Sequence, residues 1–333
     1  MARLVIAGDI GATKTTLGLY DVSQGTALDL VAGKRVASAE ISSLEEAIRV
    51  FLVEVGNRPV AAGAFGVSGP VLDGTAQLTN LNWNVSARSL SRALSGSPVR
   101  ILNDIEAAGY GLPALRPSGL MRVNLGKGRQ GNVSILAAGS GLGQAFLVWD
   151  GQRHRPVASE GGHSDFAPRT AKETRLLEFL KHLHGGRISY ERVLSGPGLV
   201  SIFNFLKLET NLRASRKVVR KLVVEDAAAV IGVEGASGRC PLSTAALDMF
   251  VSLYGAQAGN LALTTMSIGG VYIGGGIARR ILPKMTSGAF MDSFTDKGRF
   301  AEVLREIPVN VILDHDVVQK GAACIAREIM NPE

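Results

Sequence analysis

A chain of 333 residues is longer than one hydrophobic core usually supports, which leaves two domains or one elaborate α/β domain. With 46% apolar and 20% charged residues it is an ordinary globular sequence and not a disordered one, and its two cysteines, Cys240 and Cys324, lie far apart without His or Cys at ligand spacing, which excludes a disulfide framework and speaks against zinc. The net charge of +7 raises the question of polyanions, while no apolar run reaches bilayer length and Asp9 interrupts the apolar start, so no membrane helix or secretory leader is expected and the cytosol is the expected compartment.

Residues 4–20 read LVIAGDIGATKTTLGLY. The apolar opening predicts a buried strand and residues 16–20 a second, with a turn of Gly8, Asp9, Gly11, Ala12, Thr13 and Lys14 between them. Glycines let successive N–H groups face one concavity, Thr13 and Thr15 add hydroxyls, and Lys14 adds a positive charge, a composition suited to phosphate. Asp9 would repel phosphate unless a cation lay between them, so the turn points to Mg²⁺ with a nucleotide. It is not a P-loop, because the Gly-x4-Gly-Lys-Ser/Thr spacing is missing and a strand follows where a P-loop has a helix. The plain alternative is an ordinary glycine-rich hairpin.

Residues 33–40 then read as a strand, 44–55 as a helix with Glu45 and Glu46 near its start, and 60–67 as a strand. Residues 71–84 read as a loop or small hairpin carrying Asn80, Asn82 and Trp83, with Trp83 expected in packing, and 86–94 as a helix capped by Ser86. The strand at 99–102 delivers Asn103 and Asp104 at its C-terminal end, where ligands of parallel α/β sheets sit, so Asp104 stands where a catalytic carboxylate is useful; it can equally cap the helix that follows. Residues 112–119, with Pro113, Pro117 and Gly119, are the expected domain boundary.

The opening pattern then recurs, since residues 133–149 read as a strand, a turn of Gly139, Ser140, Gly141, Leu142 and Gly143, and a second strand, as expected of a duplicated domain. Two phosphate-cradling hairpins facing each other would grip a polyphosphate from both sides. Glu160 and His163 flank two glycines, helices are expected at 174–183 and 199–208 with Glu191 between them, and helical pattern continues over 218–231. Arg213, Arg216, Lys217, Arg220 and Lys221 share one helical face, but no aromatic residue interleaves them for base stacking, so a solvated face is expected and no specific nucleic acid. A Gly/Ser loop at 232–241 precedes a long helix at 244–268 capped by Ser243; a strand at 271–273 runs into Gly274, Gly275 and Gly276, where a ring or phosphate can lie against backbone. A strand at 309–313 and a helix at 317–330 close the chain.

The segments GDIGATKTTLGLYD, LTNLNWNVS, ILNDIEAAGYG, AAGSGLGQAFLV, SEGGHSDFAPR, ERVLSGPGL, GGVYIGGGIARRILP and DKGRFAEVLREIPVNVI resemble, in order, those of bacterial glucokinases of the hexokinase-like branch. The resemblance implies a two-lobed actin-like ATPase (ribonuclease H-like) fold, duplicated α/β domains with a cleft between them, the small one from residues 1–114 and 315–333 and the large one from 115–314. It implies ATP-dependent phosphorylation of glucose, with Asp9, Gly11, Thr13 and Lys14 in the first phosphate motif and Asp9 the Mg²⁺ carboxylate. Gly139, Ser140, Gly141 and Gly143 would form the second motif and Gly274, Gly275 and Gly276 the adenosine motif. Asn103, Asp104, Glu160, His163 and Glu191 would hold the sugar, with Asp104 as base, in a homodimer.

The chain departs from the family pattern at Ala12, usually a second glycine, at Lys14, usually asparagine, and at Ser140, usually threonine. A tolerated change is expected at Ala12 if its φ is negative, and Lys14 either contacts phosphate or sits at the surface. Glu160 and Glu191 have a plainer alternative as partners of Arg153 or Arg192, and a lone His163 can be structural. Other readings are a kinase for mannose, fructose or glucosamine, because carboxylates recognise diols without naming the sugar, and a sugar-sensing repressor or chaperone-like ATPase on the same fold. A repressor would need a DNA-binding segment ahead of the first strand, which here begins at Leu4; a chaperone-like ATPase would not need Asn103 and Asp104 beside Glu160 and His163.

Overall fold

The computed structural model describes residues 3–25, 27–78 and 81–330, grouped in two compact units. The first comprises residues 1–119, 155–158 and 314–333, the second residues 120–154 and 159–313. In chain order come β1 (Leu4–Ile10), β2 (Lys14–Asp21), β3 (Asp29–Ala37), α1 (Leu44–Glu54), β4 (Ala62–Val67), β5 (Thr75–Leu78), β6 (Trp83–Ser86), α2 (Ala87–Ala93), β7 (Val99–Asn103) and α3 (Asp104–Gly111). These are followed by β8 (Leu120–Asn124), β9 (Val133–Ala138), β10 (Leu142–Trp149), β11 (His154–Ser159), α4 (Ala171–His184), α5 (Gly196–Glu209), α6 (Arg216–Val224), α7 (Ala227–Ala236) and α8 (Pro241–Thr265). The last are β12 (Gly270–Gly274), α9 (Gly275–Arg280), α10 (Leu282–Met285), α11 (Ala289–Thr295), α12 (Ala301–Arg305), β13 (Val309–Ile312) and α13 (Val317–Met330).

The first unit is built on a sheet in the order β3-β2-β1-β4-β7, in which β1 to β3 form an antiparallel meander and β4 and β7 run parallel to β1. Side-chain alternation covers both faces. Ile6 and Ile10 join Ile48, Phe51, Phe65 and Leu90 on the side of α1 and α2, while Val5 and Ala7 join Ala107, Ala322 and Ala323 on the side of α3 and α13. The second face uses small residues because its helices nearly touch: a Cβ at Gly111 would collide with the Val317 carbonyl, and one at Gly321 with that of Ala107. A second sheet repeats the strand order as β11-β10-β9-β12-β13 and adds β8 antiparallel to β13; apart from residues 155–158 of β11 it belongs to the second unit. Its core surrounds α8, where Leu247, Phe250 and Tyr254 are fully buried.

Local chemistry starts most of the helices. Ser43, Ser86, Thr170 and Ser195 each accept from the N–H three residues on, so α1, α2, α4 and α5 begin where a hydroxyl satisfies an otherwise unpaired donor. Several expectations need correction. The third strand is Asp29–Ala37 and not 33–40, whose end forms a 3-10 turn, Ser38–Glu40. Residues 218–231 are not one helix, because Asp226 accepts from Ala228 and Ala229 and starts α7 afresh. α7 then runs into the expected loop at 232–241 as far as Ala236, with Gly235 required where a Cβ would meet the Ser243 carbonyl at 2.6 Å. α8 begins at Pro241, whose ring suits the first helical turn; Ser243 lies inside the helix, its hydroxyl without a partner among the described residues, and the helix ends through Met266 in the left-handed region.

Residues 71–84 contain the hairpin β5–β6, and Trp83 is buried in the core as expected; Asn80 lies outside the described residues. Of the basic stripe, Arg213 precedes the Ser215 cap and is not helical, and Lys221 pairs with Glu234, leaving Arg216, Lys217 and Arg220 exposed. Among the described residues no helix is long and apolar enough to cross a membrane.

Candidate functional site

In the first unit the turn expected to hold phosphate is shorter than the sequence implied. β1 continues to Ile10, so Gly8 and Asp9 are strand residues and residues 11–13 alone form the turn. Gly8 is there for packing, since a Cβ would lie 2.8 Å from Ile10 and Phe65. The Gly11 N–H donates to the Lys14 carbonyl (3.0 Å), the Ser38 hydroxyl donates to the Gly11 carbonyl (2.8 Å), and the Ser38 N–H donates to the Thr13 carbonyl (3.0 Å). Ser38 therefore braces the turn, a role that no local spacing could reveal. It also bonds Thr15, whose buried hydroxyl is not offered to a ligand; the exposed hydroxyl is that of Thr13. Ala12 is not among the residues with positive φ, so its methyl group introduces no backbone strain.

Asp9 pairs with Gly66 on β4, which is in turn level with Leu102 on β7. Asp9 and Asp104 thus share one end of the sheet two strands apart, about 10 Å in the sheet direction. Gly66 between them lets the helices close over the strand, because a Cβ would stand 2.6 Å from Val318 and 3.6 Å from the Asp104 Cα. Burial pushes the Asp9 carboxyl up to about 6, with Lys14 and Arg35 opposing and Asp316 reinforcing the shift. A carboxylate so placed holds its negative charge at a cost that a cation would remove. One carboxylate beside a turn fits Mg²⁺, which keeps several waters and takes few protein ligands, better than a closed protein cage.

Asn103 performs the capping that the sequence left open to Asp104. Its Oδ1 accepts from Ile105 (2.9 Å) and Glu106 (3.3 Å), and its Nδ2 donates to the Gly69 carbonyl (3.0 Å). Asp104 is the first residue of α3, half-buried, with Oδ1 accepting from Ile105 (2.8 Å), in a helix turn whose dipole favours a negative charge.

In the second unit the glycine turn is residues 139–141, and Gly143 lies within β10 opposite Ala137. Gly274 also stands opposite Ala137 across β12, so both glycine turns leave the same end of the sheet from adjacent strands. Gly275 has φ 86° and a Cβ there would collide with the Ala138 carbonyl, so only glycine fits. Gly139 and Gly276 face open space instead, and Ser140 is exposed. Beneath them the buried Tyr254 accepts from the Ala138 N–H (3.0 Å) and donates to the Leu136 carbonyl (3.1 Å), tying β9 to α8.

The Glu191 Oε2 accepts from the Leu142 N–H (3.0 Å), a backbone partner where Arg192 had been the alternative, and Gly141 makes room for it, since a Cβ would sit 2.5 Å from that oxygen. Glu160 and His163 face one another across a 3-10 turn, Nε2 to Oε2 3.8 Å, both half exposed. Gly162 of that turn rests on the Leu142 carbonyl and Gly161 on the Gln144 side chain. The first residues of β10 therefore gather the 139–141 turn, Glu160, His163 and Glu191 around one strand end.

A meander bearing a glycine turn, extended by parallel strands and present twice in one chain, defines an actin-like ATPase fold of the sugar-kinase kind. A glucokinase from an Antarctic psychrotroph superposes with a TM-score of 0.85 at 27% identity, covering 98% of this chain and 99% of that one. The glucokinase of Balamuthia mandrillaris, solved with glucose, shares the fold with a TM-score of 0.84 at 20% identity, over 98% and 94% of the two chains. The glucokinase of Nostoc sp. (strain PCC 7120) is 40% identical over 340 residues, 97% of this chain and 99% of that one. The glucokinase family model matches residues 6–329, and the chain belongs to that family.

Proposed function

We infer that the protein transfers the γ-phosphoryl group of ATP to the 6-hydroxyl of glucose. The observation that carries this reading is the family match from residue 6 to 329. Phosphoryl transfer passes through a loose transition state that needs positioning and charge neutralisation more than covalent chemistry. Asn103, Asp104, Glu160, His163 and Glu191 hold the sugar, the carboxylates accepting from its hydroxyls in charge-assisted hydrogen bonds. Asp104 takes the proton of the 6-hydroxyl as that oxygen bonds to the γ-phosphorus and the bond to the departing ADP oxygen breaks. Gly11, Thr13, Lys14, Gly139, Ser140, Gly141 and Gly143 take the phosphates, Gly274, Gly275 and Gly276 the adenosine, and Asp9 the Mg²⁺. The bound ion supplies neutralisation of phosphate charge. A cytosolic homodimer is what the resemblance carries, and light scattering of the purified protein checks the subunit number.

A coupled assay against a panel of hexoses, with ATP and with polyphosphate, tests the reading: glucose with ATP should give the highest kcat/KM, and turnover of another hexose alone would replace it. Asp104→Ala should keep glucose affinity within a few-fold while kcat falls about 10²–10⁴-fold, the worth of a positioned base. Calorimetry for the sugar beside the assay separates the two effects, and a wild-type kcat in the variant would remove Asp104 from the role.

A further inference from the structure

Gln144 lies on β10 with 3% of its surface exposed, and its Nε2 has no hydrogen-bond partner among the described residues. A buried amide donor left unmade is costly, and such groups persist where something other than stability retains them. Its place is informative. A Cβ on Gly161 would sit 2.5 Å from the Gln144 Oε1 and 3.2 Å from its Cδ, so the amide is the floor on which the Glu160–His163 turn rests. Half a rotation of the amide exchanges Oε1 and Nε2 without changing its shape, so the donor can be presented to that turn with no repacking. Gly162, the next residue, is pressed against the Leu142 carbonyl, two residues before Gln144. The height of the whole turn is thus set by β10.

We propose that Gln144 is a positioning residue for hexose recognition: its amide is the donor that locks the Glu160–Gly161–Gly162–His163 turn in its sugar-bound arrangement, and its side chain sets how far Glu160 and His163 stand from the strand. This rests on the assignment of Glu160 and His163 to the sugar. In the free protein the donor is unspent; with the sugar engaged by Glu160 and His163, the turn supplies the acceptor. The unmade bond of the free state is then exchanged for affinity.

Gln144→Met keeps length and volume and removes the donor. Its melting temperature without sugar should equal or exceed that of the wild type, while KM for glucose rises about tenfold, KM for ATP stays within twofold and the glucose-induced thermal shift shrinks. A purely structural role would lower the melting temperature and leave the ratio of the two KM values unchanged. Gly161→Ala gives a second handle, because its methyl group lifts the turn off the amide; it too should raise KM for glucose and spare KM for ATP. Both variants with a wild-type KM for glucose would overturn the proposal. A wild type that gains no stability from glucose would overturn the assignment of Glu160 and His163 as well, whereas a wild type that does, beside a Gln144→Met protein that responds equally, would overturn the role of Gln144 alone.

Discussion

Tyr254 shows how one side chain supports two neighbouring turns. Its hydroxyl is fully buried and accepts from the Ala138 N–H one residue before Gly139, and its helix packs under the strands that end at Ala138 and Gly274. Tyr254→Phe leaves that N–H without an acceptor in an apolar interior, at a cost of about 1–3 kcal/mol. The expected result is a melting temperature lowered by several degrees together with a KM for ATP raised more than that for glucose. An unchanged melting temperature would show that Ala138 finds another acceptor. At the same scale the glycines divide in two: Gly141 and Gly275 are required by the atoms beside them, and Gly139 and Gly276 leave space in front of the backbone.

Between elements, the contact of α6 with α7 depends on charge. Lys221 donates to the Glu234 Oε1 (3.0 Å), and that hydrogen bond holds the Glu234 carboxyl below its ordinary value of 4.5, with burial opposing and Arg239 assisting. The folded form thus binds the proton less readily than the unfolded one, so the contribution is present above the ordinary value and is lost as pH falls through the lowered one. Glu234→Gln should lower the melting temperature by about 2–4 °C at pH 7, as expected of roughly 1 kcal/mol in a pair open to solvent on one side. The gap between variant and wild type should narrow as pH falls from the ordinary value through the lowered one, because the wild-type carboxyl then takes up a proton and its charge pair with Lys221 is lost. Calorimetric melts at pH 7 and pH 3.5 check this, and a gap that persists in acid would assign the effect to packing.

The scale of the whole molecule is set by where the chain returns. The first unit takes residues from both ends, since Ala322, Ala323, Ile325 and Ala326 of α13 complete the core begun by Val5, Ala7 and Ala107. Residues 1–119 alone should therefore expose an apolar sheet face and give no cooperative thermal transition, whereas the same residues joined to 314–333 by a flexible linker should regain one. Circular dichroism melts of the two fragments decide it, and a cooperative transition in residues 1–119 alone would show that α13 is dispensable.

What could be read from the sequence was local or repeated. The hairpin turns, the cap at Ser86, the strand that delivers Asn103 and the last helix at 317–330 follow from a few neighbouring residues, whose hydrogen bonding and periodicity are decided within a turn or two of chain. The likeness of the two glycine hairpins likewise announced a topology repeated in both sheets. The break at Asp226 and the start of α8 at Pro241 were also local, yet a continuous apolar pattern concealed the first and a Gly/Ser composition the second.

Tertiary structure decided which groups are spent and which are offered. Thr15 and Thr13 look alike in sequence, but pairing with Ser38 buries one and leaves the other exposed. Asn103 and Asp104 are equally good caps on paper, and the geometry of β7 and α3 gives the capping to Asn103. Burial raises the Asp9 carboxyl, and the Gln144 amide on β10 lies against Gly161 of the 160–163 turn. Such outcomes depend on long-range burial and on competition for hydrogen-bond partners, and neither quantity exists until the chain has closed on itself.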